Sequence, residues 1–222
     1  MGEVSENKEV NELKGIGEEK YKEIKPESDI TPDEARQYIS NQKIKETDIT
    51  APKNPHKEIV DGKEYYYDDK GKIYRVDNEL APSTNYEINR YKYETDEQSR
   101  ITSAEGKLHI KTHEGRKTIQ DPIEIIGKGD QREGDDRGHL IGDQFDGSND
   151  LGNMVPQDAR INRVDFRNLE NELAKAVKEG KEVNFKVEPI YEGDSRRPEA
   201  ILVTYTVDGE ENIRLFLNSQ EE

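Results

Sequence analysis

The sequence predicts an α+β protein: an antiparallel sheet with one long helix, preceded by a polar, partly helical N-terminal extension. Segments with strand-type alternation occur before and after a single segment with helical spacing. Only 30% of the residues are hydrophobic and 38% are charged, so part of the chain is not expected to pack. The apolar residues cluster towards the C-terminal half, and we place the core there.

Residues 1–57 are polar and rich in Glu and Lys, and we expect an extension and linker there, with the folded domain at 58–222. Thr31-Pro32-Asp33-Glu34 has the pattern of a helix start, with Thr as N-cap and Pro at the first helical position. Residues 10–26 weakly resemble a helix-hairpin-helix motif, whose Gly-x-Gly turn can bind a phosphate. A plain turn between two solvated helices is the favoured interpretation, because flanking Glu residues would repel a phosphate.

The first half of the predicted domain contains several candidate strands. Residues 63–67 and 72–76 flank Asp68-Asp69-Lys70-Gly71, which is a hairpin signal. Residues 86–93 alternate as one strand, and residues 100–102 could pair with it after a turn near Asp96. The chain from 103 to 135 is expected to be irregular.

The second half contains the clearest helix and a second set of strands. Residues 157–179 carry an apolar stripe at helical spacing, and Gly180 suits the helix end. Residues 183–191 then alternate as a strand. Residues 201–207 and 213–217 flank Asp208-Gly209, a strong hairpin turn signal.

Composition restricts the classes of function. The net charge is −16, which argues against a broad basic groove that binds a polyanion. If the ligand is a polyanion, a metal ion together with local arginines is the favoured way to bind it. The chain has no cysteine, so disulfides and thiolate metal sites are excluded. No stretch has the length of a membrane span, and the N-terminus lacks the apolar core of a signal peptide.

One constellation carries chemistry. His139 ends the segment Asp136-Arg137-Gly138-His139, and a histidine there can act as a general base near neutral pH. Asn162 and Glu170 are eight residues apart, so they can share one side of the predicted helix. An amide oxygen and a carboxylate are the hard ligands that Mg²⁺ prefers. Basic residues that could hold phosphates lie in the same region: Arg132, Arg137, Arg160, Arg163 and Arg167.

The segment 136–170 resembles the DNA/RNA non-specific endonucleases of the ββα-metal (His-Me finger) superfamily. The matching pieces are 136–139, the Asn-x-x-Pro-Gln run at 153–157, Asn162 and Leu169-Glu170, in order and at matching spacing. Weaker similarity extends over about 85–217. The resemblance implies a ββα-metal core, and it places the chain among the nuclease domains of bacterial polymorphic toxins.

The resemblance also implies roles for individual residues. His139 would be the general base, Asn162 the direct ligand of Mg²⁺ with Mn²⁺ as a substitute, and Glu170 a metal contact through water that also assists catalysis. The other implied catalytic residues are Asp136, Arg137 and Arg100, with Arg100 as a transition-state arginine. The implied substrate contacts are Arg137, Gln157, Arg163 and Arg167.

The expected function is therefore a metal-dependent nuclease that cuts DNA, and RNA as a further substrate, without reading sequence. It would act as the C-terminal domain of a secreted antibacterial toxin in the target-cell cytoplasm, with a cognate immunity protein and no membrane insertion. Two alternatives stay open: a DNA-processing or nutritional nuclease without a toxin role, and a catalytically silent binding module. The acidity favours the silent module, and the complete set of motif residues opposes it.

Overall fold

The computed structural model describes residues 56–115 and 117–219, which divide after Pro82 into two compact units. The predicted helix over 31–41, the weak motif at 10–26 and most of the predicted linker lie outside the described residues. The domain boundary at 57/58 therefore stays a prediction.

The described part of the first unit is a small antiparallel sheet of four strands. In order these are β1 (His56–Val60), β2 (Lys63–Tyr67), β3 (Ile73–Val76) and β4 (Glu79–Leu80). The hairpin predicted from the sequence is confirmed as β2 and β3. Its turn is held by Asp68 Oδ1, which accepts hydrogen bonds from the backbone N–H groups of Lys70 and Lys72 at 2.9 and 2.8 Å.

The second unit is built on a six-stranded antiparallel sheet, with an insertion that carries a two-stranded sheet and helices. Its first strands are β5 (Asn85–Ile88), β6 (Tyr91–Thr95) and β7 (Ile101–Lys107). The insertion contains the short helix α1 (Ile123–Gly127), β8 (Asp135–His139) and β9 (Met154–Asp158). The large sheet is completed by β10 (Val183–Ile190), β11 (Ala200–Val207) and β12 (Glu210–Leu217), in the order β12-β11-β10-β7-β6-β5.

The strands after the long helix lie where the sequence predicts them, including the β11–β12 hairpin around Asp208-Gly209. The single strand predicted over 86–93 is wrong. The chain turns at Asn89 and Arg90, whose φ angles are 52° and 72°, so the segment is the β5–β6 hairpin. Two residues with positive φ match the twist of flanking strands, but this turn lacks the glycine that usually marks it. The segment 103–135 is irregular only in part, because β7 runs to Lys107 and α1 lies inside it.

The long helix begins later than predicted and starts with a wider turn. Residues 154–158 form β9, so Gln157 lies in a strand. A π-helical segment (Ile161–Phe166) then leads into α2 (Arg167–Lys178). The wider turn changes the phase of the apolar stripe, and Val164 is 47% exposed. In the described part of the chain, no helix is both long and apolar enough for a membrane span.

The apolar side of α2 is buried, and the helical segment before it contacts the large sheet. Leu169 and Leu173 are buried on α2, and alternate residues of β10 are buried from Val183 onwards. The rings of Phe166 and Phe216 lie 5.4 Å apart between their centroids, which joins the π-helical segment to β12. The sheet therefore supports the start of the long helix.

A buried ion pair anchors the two-stranded sheet to the large one. Arg197 donates to both carboxylate oxygens of Asp135, at 2.7 and 2.9 Å, and the two side chains are 6% and 2% exposed. Arg197 also donates to the carbonyl of Asn218 at 2.7 Å. The Asn218 side chain, in turn, accepts from the N–H of Asp158 and donates to the carbonyl of Pro156. The start of β8 and the end of β9 are thus tied to the ends of β11 and β12.

We expect Arg197→Met to lower the free energy of unfolding by about 3–5 kcal/mol, because the carboxylate of Asp135 would stay buried without its partner. Lys107→Met is the matched control. Lys107 pairs with Glu182 at 2.7 Å, but the two side chains are 63% and 57% exposed. That loss should be below about 1 kcal/mol. Urea unfolding of both variants measures the difference, and equal losses would contradict the anchoring role of Arg197.

Candidate active site

The candidate site is built on a ββα unit formed by β8, β9 and the long helix. The two strands pair antiparallel, with Asp136 opposite Gln157 and His139 opposite Met154. Gly138 is required at this pairing, because a Cβ there would lie 2.6 Å from the Cβ of Gln157. The close approach sets β8 firmly on β9, and His139 is held at the end of β8 with 8% of its surface exposed.

A cavity of about 280 Å³ opens between the end of β8, the loop after it and the first turns of the helix. Five residues that the sequence analysis nominated line this cavity. The other lining residues were not nominated. The lining residues are His139, Gly142, Asp143, Gln144, Asn162, Arg163, Arg167, Glu170 and Asn171.

Asp136 orients the helix residues that face this cavity. Its Oδ2 accepts a hydrogen bond from Nδ2 of Asn162 at 2.9 Å. Both of its oxygens also accept from Arg163, at 2.8 and 2.6 Å. Since the amide nitrogen of Asn162 is held by Asp136, the amide oxygen is directed away from that carboxylate.

The oxygen donors of the cavity fit a hard divalent cation. No hydrogen bond from a described residue engages Oδ1 of Asn162, which makes this atom available as a ligand. Glu170 contributes a carboxylate to the same cavity. Amide and carboxylate oxygens, completed by water and phosphate oxygens, are what Mg²⁺ prefers.

Gly142 leaves the space that the carboxylate of Glu170 occupies. A Cβ at this position would lie 2.2 Å from Oε1 of Glu170 and 2.8 Å from its Cδ. The backbone of Gly142 has φ −64° and ψ 152°, which any residue can adopt. The glycine is therefore needed for space and not for its conformational freedom. This requirement could not be predicted from the residue pattern, because the contact joins positions that are distant in the chain.

Asp143 is a second carboxylate of the cavity that the sequence prediction missed. Lys111 donates to its Oδ2 at 2.5 Å, and the two side chains are 21% and 12% exposed. Burial is the largest single influence and opposes ionisation of Asp143. The hydrogen bonds from Lys111, the Lys117 backbone and Asn149, with the charge of Lys111, together outweigh it and lower the pKa. Asp143 is therefore ionised near neutral pH, and it neutralises Lys111 at the rim of the cavity.

The loop between β8 and β9 is closed by Asn153. This residue is fully buried, and its side chain accepts from the N–H of Ile141 and donates to the carbonyls of Ile141 and Ser148 at 2.8–2.9 Å. Gly147 passes so close that a Cβ would lie 1.8 Å from the Ile141 carbonyl oxygen. The loop therefore has little freedom. It also places Asn149, which was not predicted, with its Oδ1 2.8 Å from Nε2 of His139.

Besides Asp136, three of the catalytic and substrate-contact residues nominated from the sequence do not line the cavity. Arg100 is held by Asp96 at 2.8 Å and by the carbonyls of Gly193 and Ser195. Arg137 is exposed on β8, and it donates to the carbonyl of Asp121 at 3.3 Å. Gln157 is fully buried beneath Gly138, where a substrate has no access. The structure thus places these three side chains in structural contacts outside the cavity lining, and their roles towards substrate stay predictions.

The two arginines of the cavity differ in their surroundings. Arg163 is engaged by Asp136. In the chain as described, residues 56–115 and 117–219, no ion pair neutralises Arg167, which is exposed on α2. Arg167 is therefore the cavity's better candidate for an anionic ligand.

Comparison with known proteins identifies the family of the chain. Residues 82–209 match the family described as DNA/RNA non-specific endonuclease, and this match covers more than half of the chain. The chain belongs to this family of nucleases. The match begins at the boundary between the two compact units, so the unit that carries the cavity contains nearly all of the region that matches the endonuclease family.

Similar proteins include the type VII secretion system protein EssD of Staphylococcus aureus, in strains USA300 and Newman. It is 38% identical over 133 residues, which are 57% of this chain and 21% of that protein. The chain thus matches about a fifth of the length of these relatives.

Among solved structures, NucA from Streptococcus agalactiae with a magnesium ion bound has a TM-score of 0.48 and 19% identity, covering 75% of this chain and 84% of its own. The Sda1 nuclease with a bound zinc ion has a TM-score of 0.45 and 17% identity, covering 58% and 76%.

Proposed function

We propose that this endonuclease domain hydrolyses phosphodiester bonds with His139 as general base and with Mg²⁺ held by Asn162 and Glu170. The observation that carries the proposal is the convergence of these three side chains on one cavity. They come from the end of a strand and from two turns of a helix. Each side chain is positioned by a different neighbour. Asn149 contacts His139, Asp136 binds Asn162, and Gly142 leaves space for Glu170.

His139 accepts the proton of the attacking water as that water adds to phosphorus. His139 lies at the end of β8, and most of its surface is buried, so its side chain keeps one orientation during this transfer. Arg167 binds a non-bridging phosphate oxygen and holds the scissile phosphate over the cavity. Asp136 keeps Asn162 and Arg163 in place and does not contact the substrate.

Asn162 and Glu170 are the residues that would hold the divalent metal, the first directly through Oδ1 and the second through a water molecule bound by its carboxylate. When bound, the cation would neutralise developing charge on the phosphoryl and leaving oxygens. This supply of positive charge matters here, because the chain carries a net charge of −16. Mn²⁺ takes similar oxygen ligands and is expected to substitute for Mg²⁺.

The proposed substrates are DNA and RNA, bound through their backbones. The cavity is small and polar, and the guanidinium of Arg167, which no described carboxylate neutralises, suits a phosphate. Contacts to phosphate carry no sequence information, in agreement with a family of non-specific endonucleases.

We further propose that the domain is the toxic part of an exported antibacterial protein, acts in the cytoplasm of a target cell and is restrained at home by an immunity protein. The support is the similarity to a type VII secretion system protein, of which the match occupies only a fifth. A nutritional or DNA-processing nuclease is the alternative with the same active site. A catalytically silent binding module would have the same cavity but would not hydrolyse phosphodiester bonds in it.

We expect the wild-type chain to degrade plasmid DNA in the presence of Mg²⁺, and EDTA to abolish the reaction. His139→Ala should lower the rate at least about a hundredfold, because the general base is lost. His113→Ala, which changes a histidine that does not line the cavity, is the control and should stay within about twofold. Gel assays on DNA and RNA with circular dichroism of each variant make the measurement. An inert, folded wild type would leave the silent binding module as the better account.

For Arg167→Gln we expect KM for double-stranded DNA to rise about tenfold and the slope of log KM against log salt to fall by about 0.9, as for one lost phosphate contact. Arg160→Gln is the matched control, since Arg160 is exposed nearby on the same helical segment but does not line the cavity. Steady-state kinetics at several salt concentrations separate the two. An unchanged salt dependence in Arg167→Gln would show that this arginine does not bind phosphate.

The toxin proposal predicts that induced expression of the wild-type chain in the cytoplasm of a bacterial host stops colony formation, whereas His139→Ala is tolerated. Genomic DNA or total RNA from the induced cells should be fragmented in the first case only. Harmless expression of a chain that degrades nucleic acid in vitro would instead favour the nutritional or processing nuclease.

A further inference from the structure

One face of the large sheet carries an exposed apolar patch at its last strand. Ile213, Leu215 and Leu217 alternate along β12 and are 57%, 57% and 49% exposed. Leu202 of β11 lies opposite Leu215, and Ile190 of β10 lies in the same cross-strand row as Leu217, so these residues share the face. We call these five residues the outer patch. On a chain with only 30% hydrophobic residues, a contiguous apolar surface of this kind indicates an interaction site.

The outer patch lies on the side of the sheet that faces away from the long helix. Phe216 alternates with Leu215 and Leu217, so its ring points to the opposite face. There it lies 5.4 Å from the ring of Phe166, measured between centroids. Phe166 ends the π-helical segment that contains Asn162, a residue of the cavity lining. A partner bound to the outer patch would therefore leave the candidate active site open.

The strand that carries most of the outer patch also has a free edge. β12 is the last strand of the six, and no strand within 56–115 or 117–219 pairs with its outer side. Sheet edges are commonly protected by charged side chains, a proline or a bulge. β12 has no proline and pairs with β11 in continuous register, and its only charge after the first two positions is Arg214, on the face opposite the outer patch. Such an edge can accept a further strand through backbone hydrogen bonds.

The charges around the outer patch favour a basic partner. Glu210 and Glu211 are exposed at the start of β12, next to the exposed Asp208 of the preceding turn. Glu188 also borders the patch, but it pairs with Lys186 at 2.8 Å and adds no net charge. Each chain carries a net charge of −16, so two copies would repel each other. A basic segment would instead be attracted to the carboxylates at 208–211.

We propose that β12 and the outer patch form a docking site for a polypeptide partner that adds a strand to this edge. The partner strand places apolar side chains at alternate positions over the outer patch, and it places Lys or Arg opposite Glu210 and Glu211. Its backbone bonds to the free N–H and C=O groups of β12, and its apolar side chains remove the outer patch from water. The site is separate from the cavity, so the proposal does not depend on the proposed catalytic roles.

The direct test uses a synthetic peptide of alternating Val and Lys residues as the probe, added to the full chain. A scrambled peptide of the same composition is the control, because it has the same charge but no alternation. We expect the Val/Lys peptide to slow amide hydrogen exchange in residues 210–217 and the scrambled peptide to leave it unchanged. No binding, equal binding of the two peptides, or binding without protection of β12 would each overturn the proposal. This readout needs no catalysis, so it decides the proposal even if the chain proves inert.

The matched variants are Leu215→Lys, within the outer patch, and Val164→Lys, at a similarly exposed apolar position on the π-helical segment. Both variants add one positive charge, so they weaken the general attraction of a basic peptide equally. We expect Leu215→Lys to lower the affinity for the Val/Lys peptide at least about tenfold, because the buried leucine contact is lost. Ile213→Gln serves if Leu215→Lys unfolds. Equal losses in the patch variant and in Val164→Lys would contradict docking at β12.

Two further measurements test the position of the site and the identity of the occupant. Plasmid cleavage by an active wild type should continue at an unchanged rate with saturating Val/Lys peptide, and inhibition would contradict a site away from the cavity. Sedimentation of the chain alone should show a monomer. A dimer that Leu215→Lys dissociates would identify a second copy as the occupant and overturn the proposed basic partner.

Discussion

The carboxylate of Asp136 makes the contacts on which the geometry of the candidate active site depends. It lies on the strand that ends in His139, and it accepts from Asn162 and Arg163 on the helical segment that follows β9. A single side chain thereby connects the strand of the proposed general base with the proposed metal ligand. It also orients the Asn162 amide, since the nitrogen is engaged by Asp136 and none of the residues that the structure describes binds the oxygen. Without this contact, His139 and Asn162 could line the same cavity and still not be positioned to act on the same phosphate.

This contact is effective only because β8 itself is rigid. Gly138 allows β9 to approach at the position of Gln157, and the buried pair of Asp135 and Arg197 fixes the start of the strand. Asn153 closes the loop at its other end. Much of the insertion is thus organised around holding one short strand. That is the arrangement expected when a general base must stay within hydrogen-bond reach of a water molecule.

The sequence was most informative where residues act locally and least where they act across the fold. His139, Asn162 and Glu170 are recognisable because their spacing follows the local geometry of a strand end and a helix. Gly142 and Asn149 were missed because their roles depend on contacts with Glu170 and His139 that only the folded loop creates. Gln157, which is predicted to contact the substrate, lies in β9 and is buried beneath Gly138, a cross-strand contact that the sequence alone does not reveal. The π-helical turn at 161–166 likewise has no marker in the residue pattern, yet it changes which positions face the sheet.

Local neutralisation reconciles the acidity of the chain with a polyanionic substrate. Lys111 and Arg163 are each neutralised by a carboxylate and stabilise the structure, whereas Arg167 and a bound cation would contact the substrate.

The most direct measurement is calorimetric titration of Mn²⁺ into the wild type, Asn162→Ala, Asp136→Ala and the control Asn184→Ala. The account predicts one site in the wild type and the control, and at least tenfold weaker binding in the other two variants. Binding of wild-type strength in Asn162→Ala would contradict it.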